Sequence, residues 1–166
     1  ESCKCAKTDS ATGDATAALD YKVVEKPQVD ISKLPVDKDG YITIFDGKTL
    51  DGWRCYGKDK AGSDWNVDDG AIHLKGSGNG GDILFAHKFK NFELTFEYKV
   101  SKGANSGVFY LAQEVTVNNN GKDEFIPIWQ SASEYQVLDN ANHPDAQLGV
   151  DGNRQSASLY DMIPAK

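Results

Sequence analysis

No stretch of about 18 consecutive apolar residues occurs anywhere in the chain, so the sequence offers no membrane-spanning helix. Cysteine is scarce too, with Cys3, Cys5 and Cys55 alone. Cys3 and Cys5 lie too close together for an easy disulfide, and no pair of Cys-x-x-Cys spacings exists. Neither a disulfide framework nor a zinc site is expected. Positive charge is outweighed: 18 Lys and Arg against 25 Asp and Glu give a net charge of −7 and a pI near 4.9. Nucleic-acid phosphates would be repelled, whereas neutral sugars are tolerated. No amphipathic helix of about ten or more residues can be traced. No signal peptide is visible either, and Glu1 in place of an initiating Met suggests a processed or trimmed product.

What the chain does have suits one β-rich domain. Its 166 residues can bury a core but are too few for two large domains. The 16 glycines, with seven Phe, seven Tyr and three Trp, fit short strands joined by tight turns. Residues 1–20 are small and polar, and cannot bury enough surface to offset chain entropy, so they read as a flexible leader. One reading makes Cys3, behind the small Ser2, the lipid-bearing residue of an exported periplasmic or outer-membrane lipoprotein, with Lys4 to Asp20 as tether. The other leaves two unremarkable cysteines on an unstructured end. Residues 21–39, punctuated by Pro27 and Pro35, read as an extended linker laid on the domain, which occupies 40–166.

Strand signals dominate that domain. Tyr41–Phe45 is a short β-rich run closed by Asp46-Gly47. Ala71–Leu74 follows the Asp69-Gly70 turn, and Asp82–His87 follows a glycine-rich loop. From Phe92 to Val100, Phe92, Leu94, Phe96, Tyr98 and Val100 alternate with polar residues, a period of two that a helix cannot use. Ser106–Ala112, Val115–Val117, Phe125–Ile128 and Tyr135–Leu138 complete the set, and the Asn120-Gly121 step favours a hairpin. Many short strands without alternating helices mean a β-sandwich or jelly roll.

Gly76-Ser77-Gly78-Asn79-Gly80-Gly81 carries the spacing of a dinucleotide-binding turn. That turn must open a helix, and the following Asp82–Phe85 reads as strand, so a hairpin loop is the better account. Trp53, Trp65 and Trp129 are either core residues or platforms for the apolar face of a sugar ring. In a strand, Glu134 and Gln136 share one face, with Tyr135 and Val137 on the other. If Tyr135 and Val137 are core, a carboxylate and an amide line an accessible face, which is either a polar site for hydroxyl-rich ligands or ordinary solvated surface. The following loop carries Asp139, His143 and Asp145, with Pro144 keeping His143 out of helical geometry. An imidazole flanked by acids suits proton transfer near neutral pH, and the same acids, Asp139 and Asp145, could instead hold a divalent cation.

Five phrases in order resemble one family. They are Phe45-Asp46-Gly47-Lys48-Thr49-Leu50-Asp51-Gly52-Trp53; Trp65-Asn66-Val67 with Asp69-Gly70; Asn91 to Tyr98; Ala104-Asn105-Ser106-Gly107-Val108-Phe109; and Glu134-Tyr135-Gln136-Val137-Leu138-Asp139. Together they resemble the 3-keto-disaccharide hydrolase domain, common in exported bacterial proteins. The resemblance implies an all-β, concanavalin A-like jelly-roll β-sandwich and cleavage of glycosides whose sugar carries a ketone at carbon 3. Two departures stand out: Tyr110-Leu111-Ala112 replaces the family's frequent Arg, and the chain stops at Lys166 where members continue. The domain is therefore expected to be incomplete at its C-terminus, with unpaired strand edges.

The implied chemistry is elimination followed by hydration. A 3-keto group acidifies the hydrogen on carbon 2, a base removes it, and the enolate expels the aglycone before water adds back. This avoids the oxocarbenium-like transition state of ordinary glycosidases. His143 or Glu134 is expected as base with the other as donor, and Asp139 as the orienter of His143. Asn105, Gln136, Arg154 and Tyr110 are expected to bind the carbohydrate substrate. A cation near Asp139 or Asp145 could share the enolate charge. Two other classes stay open: a two-carboxylate glycosidase built on Glu134 and Asp139, and a carbohydrate-binding module without catalysis.

Overall fold

Glycine-punctuated runs of β-branched and aromatic residues form short strands, and the computed structural model shows nine of them among its described residues, 20–76, 78 and 80–166. The leader's Glu1–Leu19 portion, including the Cys3 anchor, lies outside the described residues. The strands are β1 (Tyr21–Val23), β2 (Trp53–Cys55), β3 (Trp65–Asp68), β4 (Ala71–Leu74) and β5 (Ile83–Phe85). They continue with β6 (Asn105–Tyr110), β7 (Val115–Asn119), β8 (Lys122–Phe125) and β9 (Ser133–Leu138). Helical structure among the described residues is limited to 3-10 turns at Ile31–Lys33, Ile128–Gln130 and Pro144–Gln147. Every ladder is antiparallel, in the orders β1-β7-β8, β2-β5, β3-β4 and β6-β9. The chain is all-β, as its sequence predicts.

The two-residue hairpins follow from turn chemistry. Asp69 and Gly70, at φ 47° and 73°, join β3 to β4, and Asn120 and Gly121, at φ 52° and 85°, join β7 to β8. Positive φ at both central positions gives the turn whose twist matches paired strands.

Three local expectations need correction. The run Phe92–Val100 joins no ladder among the described residues, although its backbone is not helical. Its side chains lean on neighbours instead: Phe96 meets Tyr135 edge-on at 5.8 Å, and the Tyr98 hydroxyl lies 2.9 Å from that of Ser156. The glycine-rich loop 76–81 is not a hairpin, because β4 pairs with β3 while β5 pairs with β2. It connects two sheets. Tyr41–Phe45 reduces to one bridge between Val36 and Ile42. In the other direction, β1 lies in the stretch expected to be a linker and pairs Tyr21 with Val117.

The most enclosed part of the molecule surrounds β9. Gln136, Val137 and Leu138 are buried, and Gln136 is only 1% exposed. One edge of β9 takes the six-residue ladder with β6. The other edge is covered by the C-terminal stretch, where Gln136 N–H donates to Ser158 O at 3.0 Å, Ala157 N–H to Gln136 O at 2.8 Å and Tyr160 N–H to Glu134 O at 2.9 Å. Every backbone group so used is spared the cost of burial without a partner. Elsewhere, the Arg54 guanidinium on β2 grips Glu114, just before β7, through bonds of 2.6 and 2.5 Å. That pair ties the β2-β5 sheet to the β1-β7-β8 sheet.

Candidate active site

Antiparallel register decides which side chains meet. Phe109 sits opposite Glu134, Gly107 opposite Gln136 and Asn105 opposite Leu138, so these six share one face of the β6-β9 pair. Over that face lies a cavity of about 480 Å³, lined by Asn105, Phe109, Trp129, Glu134, Gln136 and Tyr160, and also by Ala132, Ser133, Asp161 and Met162. This is the size of a small-molecule site, and it mixes apolar walls with a few convergent polar groups as such sites do. A smaller cavity of about 270 Å³ lies between Lys26, Trp53, Arg54 and Asp59. Its charges are already matched, since Lys26 holds Asp59 at 2.8 Å and Arg54 holds Glu114.

Glu134 has room for its carboxylate only because residue 107 lacks a side chain. A Cβ built on Gly107 would lie 2.6 Å from both Cγ and Cδ of Glu134. Partial burial pushes the Glu134 carboxyl above its ordinary value, and the charges of Asp145 and Asp82 push it the same way. A raised carboxyl is a stronger base when ionised. The Gln136 Oε1 accepts from the Val137 N–H at 2.9 Å, which fixes the amide on the cavity floor.

Asp145, whose charge acts on Glu134, belongs to a network that no sequence pattern announces. The Tyr160 hydroxyl donates to Asp145 Oδ2 at 2.8 Å, and Arg154 donates to Asp145 Oδ1 at 3.2 Å. Arg154 also clamps Asp161 through both oxygens, at 2.8 and 2.9 Å, and its guanidinium carbon lies 5.5 Å from the centre of the Tyr160 ring. Burial and the bond to Asp145 raise the Tyr160 phenol above its ordinary value, whereas the Arg154 bonds hold Asp161 below the usual carboxylate range.

The residues expected from sequence therefore separate. Glu134, Gln136 and Asn105 come together at the cavity, but Gln136, expected on an accessible face, is 1% exposed because the C-terminal stretch covers one edge of β9. Asp145 reaches the site electrostatically and through Tyr160. Arg154 acts on Asp145 and Asp161 and is not among the residues lining the cavity. His143 is also not among them, and its Nδ1 accepts the Asp145 N–H at 3.1 Å as the cap of the 3-10 turn. The Asp139 carboxylate serves its own loop, taking the Gly103 N–H at 2.7 Å, the Asn142 amide at 2.7 Å and the Ala141 N–H at 3.1 Å. These bonds, led by that of Gly103, hold it below its ordinary value. Its link to His143 is through the backbone, His143 N–H to Asp139 O at 2.9 Å. Tyr110 projects from the opposite face of β6, opposite Ser133. Of the three tryptophans weighed as sugar platforms Trp129 alone lines this cavity, and Phe109, Tyr160, Asp161 and Met162 line it with no signal in the sequence to single them out.

The acids do not suit a divalent cation. Among the described residues no group of three or more His, Cys, Asp or Glu side chains could hold a metal ion, and the Asp139 and Asp145 oxygens are already bound by protein donors. Two tryptophans are also committed, Trp53 through its indole to Ile44 O at 2.9 Å and Trp65 to the carbonyls of Gly80 and Gly81 at 3.1 and 3.0 Å.

Comparison with known proteins identifies the family of the chain. The 3-keto-alpha-glucoside-1,2-lyase-like domain matches residues 40–166. A 3-keto-disaccharide hydrolase from Bacteroides thetaiotaomicron is 60% identical over 171 aligned positions, which take in 96% of this chain. The chain spans 59% of that relative's length.

Proposed function

Since the chain belongs to the family of 3-keto-alpha-glucoside-1,2-lyase-like domains, we propose that it cleaves glycosides bearing a ketone at carbon 3 by elimination and rehydration. The observation that carries the reading is the single cavity joining a raised carboxyl, Glu134, to a second proton carrier, Tyr160.

Glu134 takes the proton from carbon 2, and the electron pair passes into the enolate of the 3-ketone. The enolate re-forms the carbonyl as the bond from carbon 1 to the glycosidic oxygen breaks. Tyr160 protonates the departing oxygen; a phenol is acidic enough to protonate an alkoxide, and the Arg154 guanidinium beside the ring steadies the phenolate that results. Water then adds at carbon 1 and gives its proton to Tyr160, while Glu134 returns its proton to carbon 2. Both groups end as they began, and the sum is hydrolysis. Gln136 and Asn105 bind hydroxyls or the enolate oxygen. Tyr160 takes the donor's part first considered for His143, because it is the group on the cavity wall. We also propose export, with lipid attachment at Cys3; loss of membrane association in Cys3→Ser tests it.

A second reading has one observation behind it. Asp161 lines the same cavity with its carboxyl held low while that of Glu134 is raised, a contrast that suits a conventional acid–base pair. Matched glucosides with and without the 3-keto group decide between them. Elimination predicts product from the ketone alone, followed by mass spectrometry, and equal turnover of the unoxidised glucoside would discard it in favour of the carboxylate pair. Binding of either sugar with no product would leave a binding module.

A further inference from the structure

The residues lining the cavity are of two chemical kinds, and the reaction above uses only one. Glu134, Gln136, Asn105 and Tyr160 are polar, while Phe109, Trp129 and Met162 are apolar. Trp129 and Met162 are 64% and 68% exposed. An indole that open to water is unusual unless a partner covers it.

The backbone holds Trp129 outward. It is the middle residue of the Ile128–Gln130 turn, between a buried Ile128 and Ser131, whose hydroxyl donates to Gln113 O at 2.8 Å and to Ile128 O at 3.3 Å. Pro127 fixes the entry to the turn. The tethers on either side make Trp129 a positioned lip of the cavity, not a loose surface side chain. Trp53 and Trp65 differ, since carbonyl oxygens fix their indoles within the fold.

We propose that Trp129, on a cavity that Met162 also lines, is the platform for the leaving group: it takes a six-membered ring with an apolar face, joined through the glycosidic oxygen to the sugar held by Glu134 and Gln136. The inference rests on the proposed reaction for its choice of ligand. It adds that the site selects a ring-bearing aglycone over a small alkyl one. A pyranose and a phenyl ring share the required flat apolar face.

The test compares wild type, Trp129→Ala and Trp129→Phe in the full-length protein on 3-keto-glucosides with methyl, glucosyl and phenyl leaving groups. The ratio of kcat/KM for ring to methyl leaving groups should fall about tenfold in Trp129→Ala and recover largely in Trp129→Phe. A fall confined to the glucosyl or the phenyl substrate identifies which ring the platform takes. An unchanged ratio, or equal loss on all three substrates, overturns the inference. If wild type turns over none of them, the proposed reaction fails, and calorimetric titration with the unoxidised methyl, glucosyl and phenyl glucosides decides the platform separately. Tighter binding of the ring-bearing glucosides that disappears in Trp129→Ala supports it, and binding indifferent to the substitution refutes it.

Discussion

The Glu134 carboxylate occupies the space beside β6 that a side chain on Gly107 would fill. Gly107 pairs with Gln136 and not with Glu134, so this is a diagonal contact on one face of the sheet. Its φ is not positive, and the need for glycine there is steric alone. A residue in a strand that is glycine for want of room fixes where the neighbouring side chain goes.

Gly107→Ala separates position from chemistry. Alanine in place of glycine ordinarily favours a strand by roughly 0.5–1 kcal/mol through lower chain entropy. Here the methyl group would displace the Glu134 carboxylate, and a shift of about 1 Å at a catalytic group costs about a hundredfold. The expected result is kcat/KM lowered by about that factor with the fold retained by circular dichroism. Wild-type turnover would show that Glu134 need not sit where it does.

Glu134→Gln should abolish the base while stabilising the protein. As a general base, Glu134 is worth about 10²–10⁴ in rate. For stability the sign follows from its raised carboxyl. The folded protein holds the proton more tightly than the unfolded chain, so the group's contribution is fullest below the ordinary 4.5 and is lost as pH rises through the raised folded value. Thermal melts should put Glu134→Gln above wild type at pH 7, with the gap closing at low pH. For the same reason the acid limb of wild-type kcat/KM should lie above 4.5, since the base must be ionised.

Part of this was legible in the sequence and part was not, for identifiable reasons. A period of two puts Glu134 and Gln136 on one face whatever the partner strand, and Asp69-Gly70 and Asn120-Gly121 make hairpins by local sterics. The alternation from Phe92 to Val100 marks an apolar face equally well, yet it carries no information about a pairing partner, and Phe92 remains 51% exposed. His143 was attractive as a titratable group beside acids, but its ring nitrogen caps a turn. Tyr160 and Asp161 reach the cavity because the C-terminal stretch lies along β9 through irregular hydrogen bonds. No periodicity announces such a contact.

Tyr160→Phe keeps the ring over which Arg154 lies and removes only the hydroxyl. If Tyr160 protonates the leaving oxygen, the loss should depend on the leaving group. It should be large, about 10²–10⁴, for a poor leaving alcohol and small for a nitrophenol that departs without help. A uniform loss across leaving groups would instead make the hydroxyl a positioning group acting through Asp145.

The Arg54–Glu114 pair makes a prediction about stability without reference to catalysis. Both side chains are buried, at 10% and 7% exposure, and the Gly57 N–H adds a bond to Glu114 Oε1 at 2.8 Å. Burial pushes the Glu114 carboxyl up, but the Arg54 bonds and the Gly57 N–H more than reverse this, and it settles below its ordinary value. Glu114 therefore contributes stability above 4.5 that is lost as pH falls through its depressed folded value. Removing one partner strands the other charge in a poorly hydrated place, so Arg54→Met or Glu114→Leu should each cost about 3–5 kcal/mol. Replacing both removes the stranded charge, and the double variant should be more stable than either single one in denaturant unfolding. Single-variant costs that simply add would mean the two groups stabilise the sheets independently, and that the contact between them is incidental.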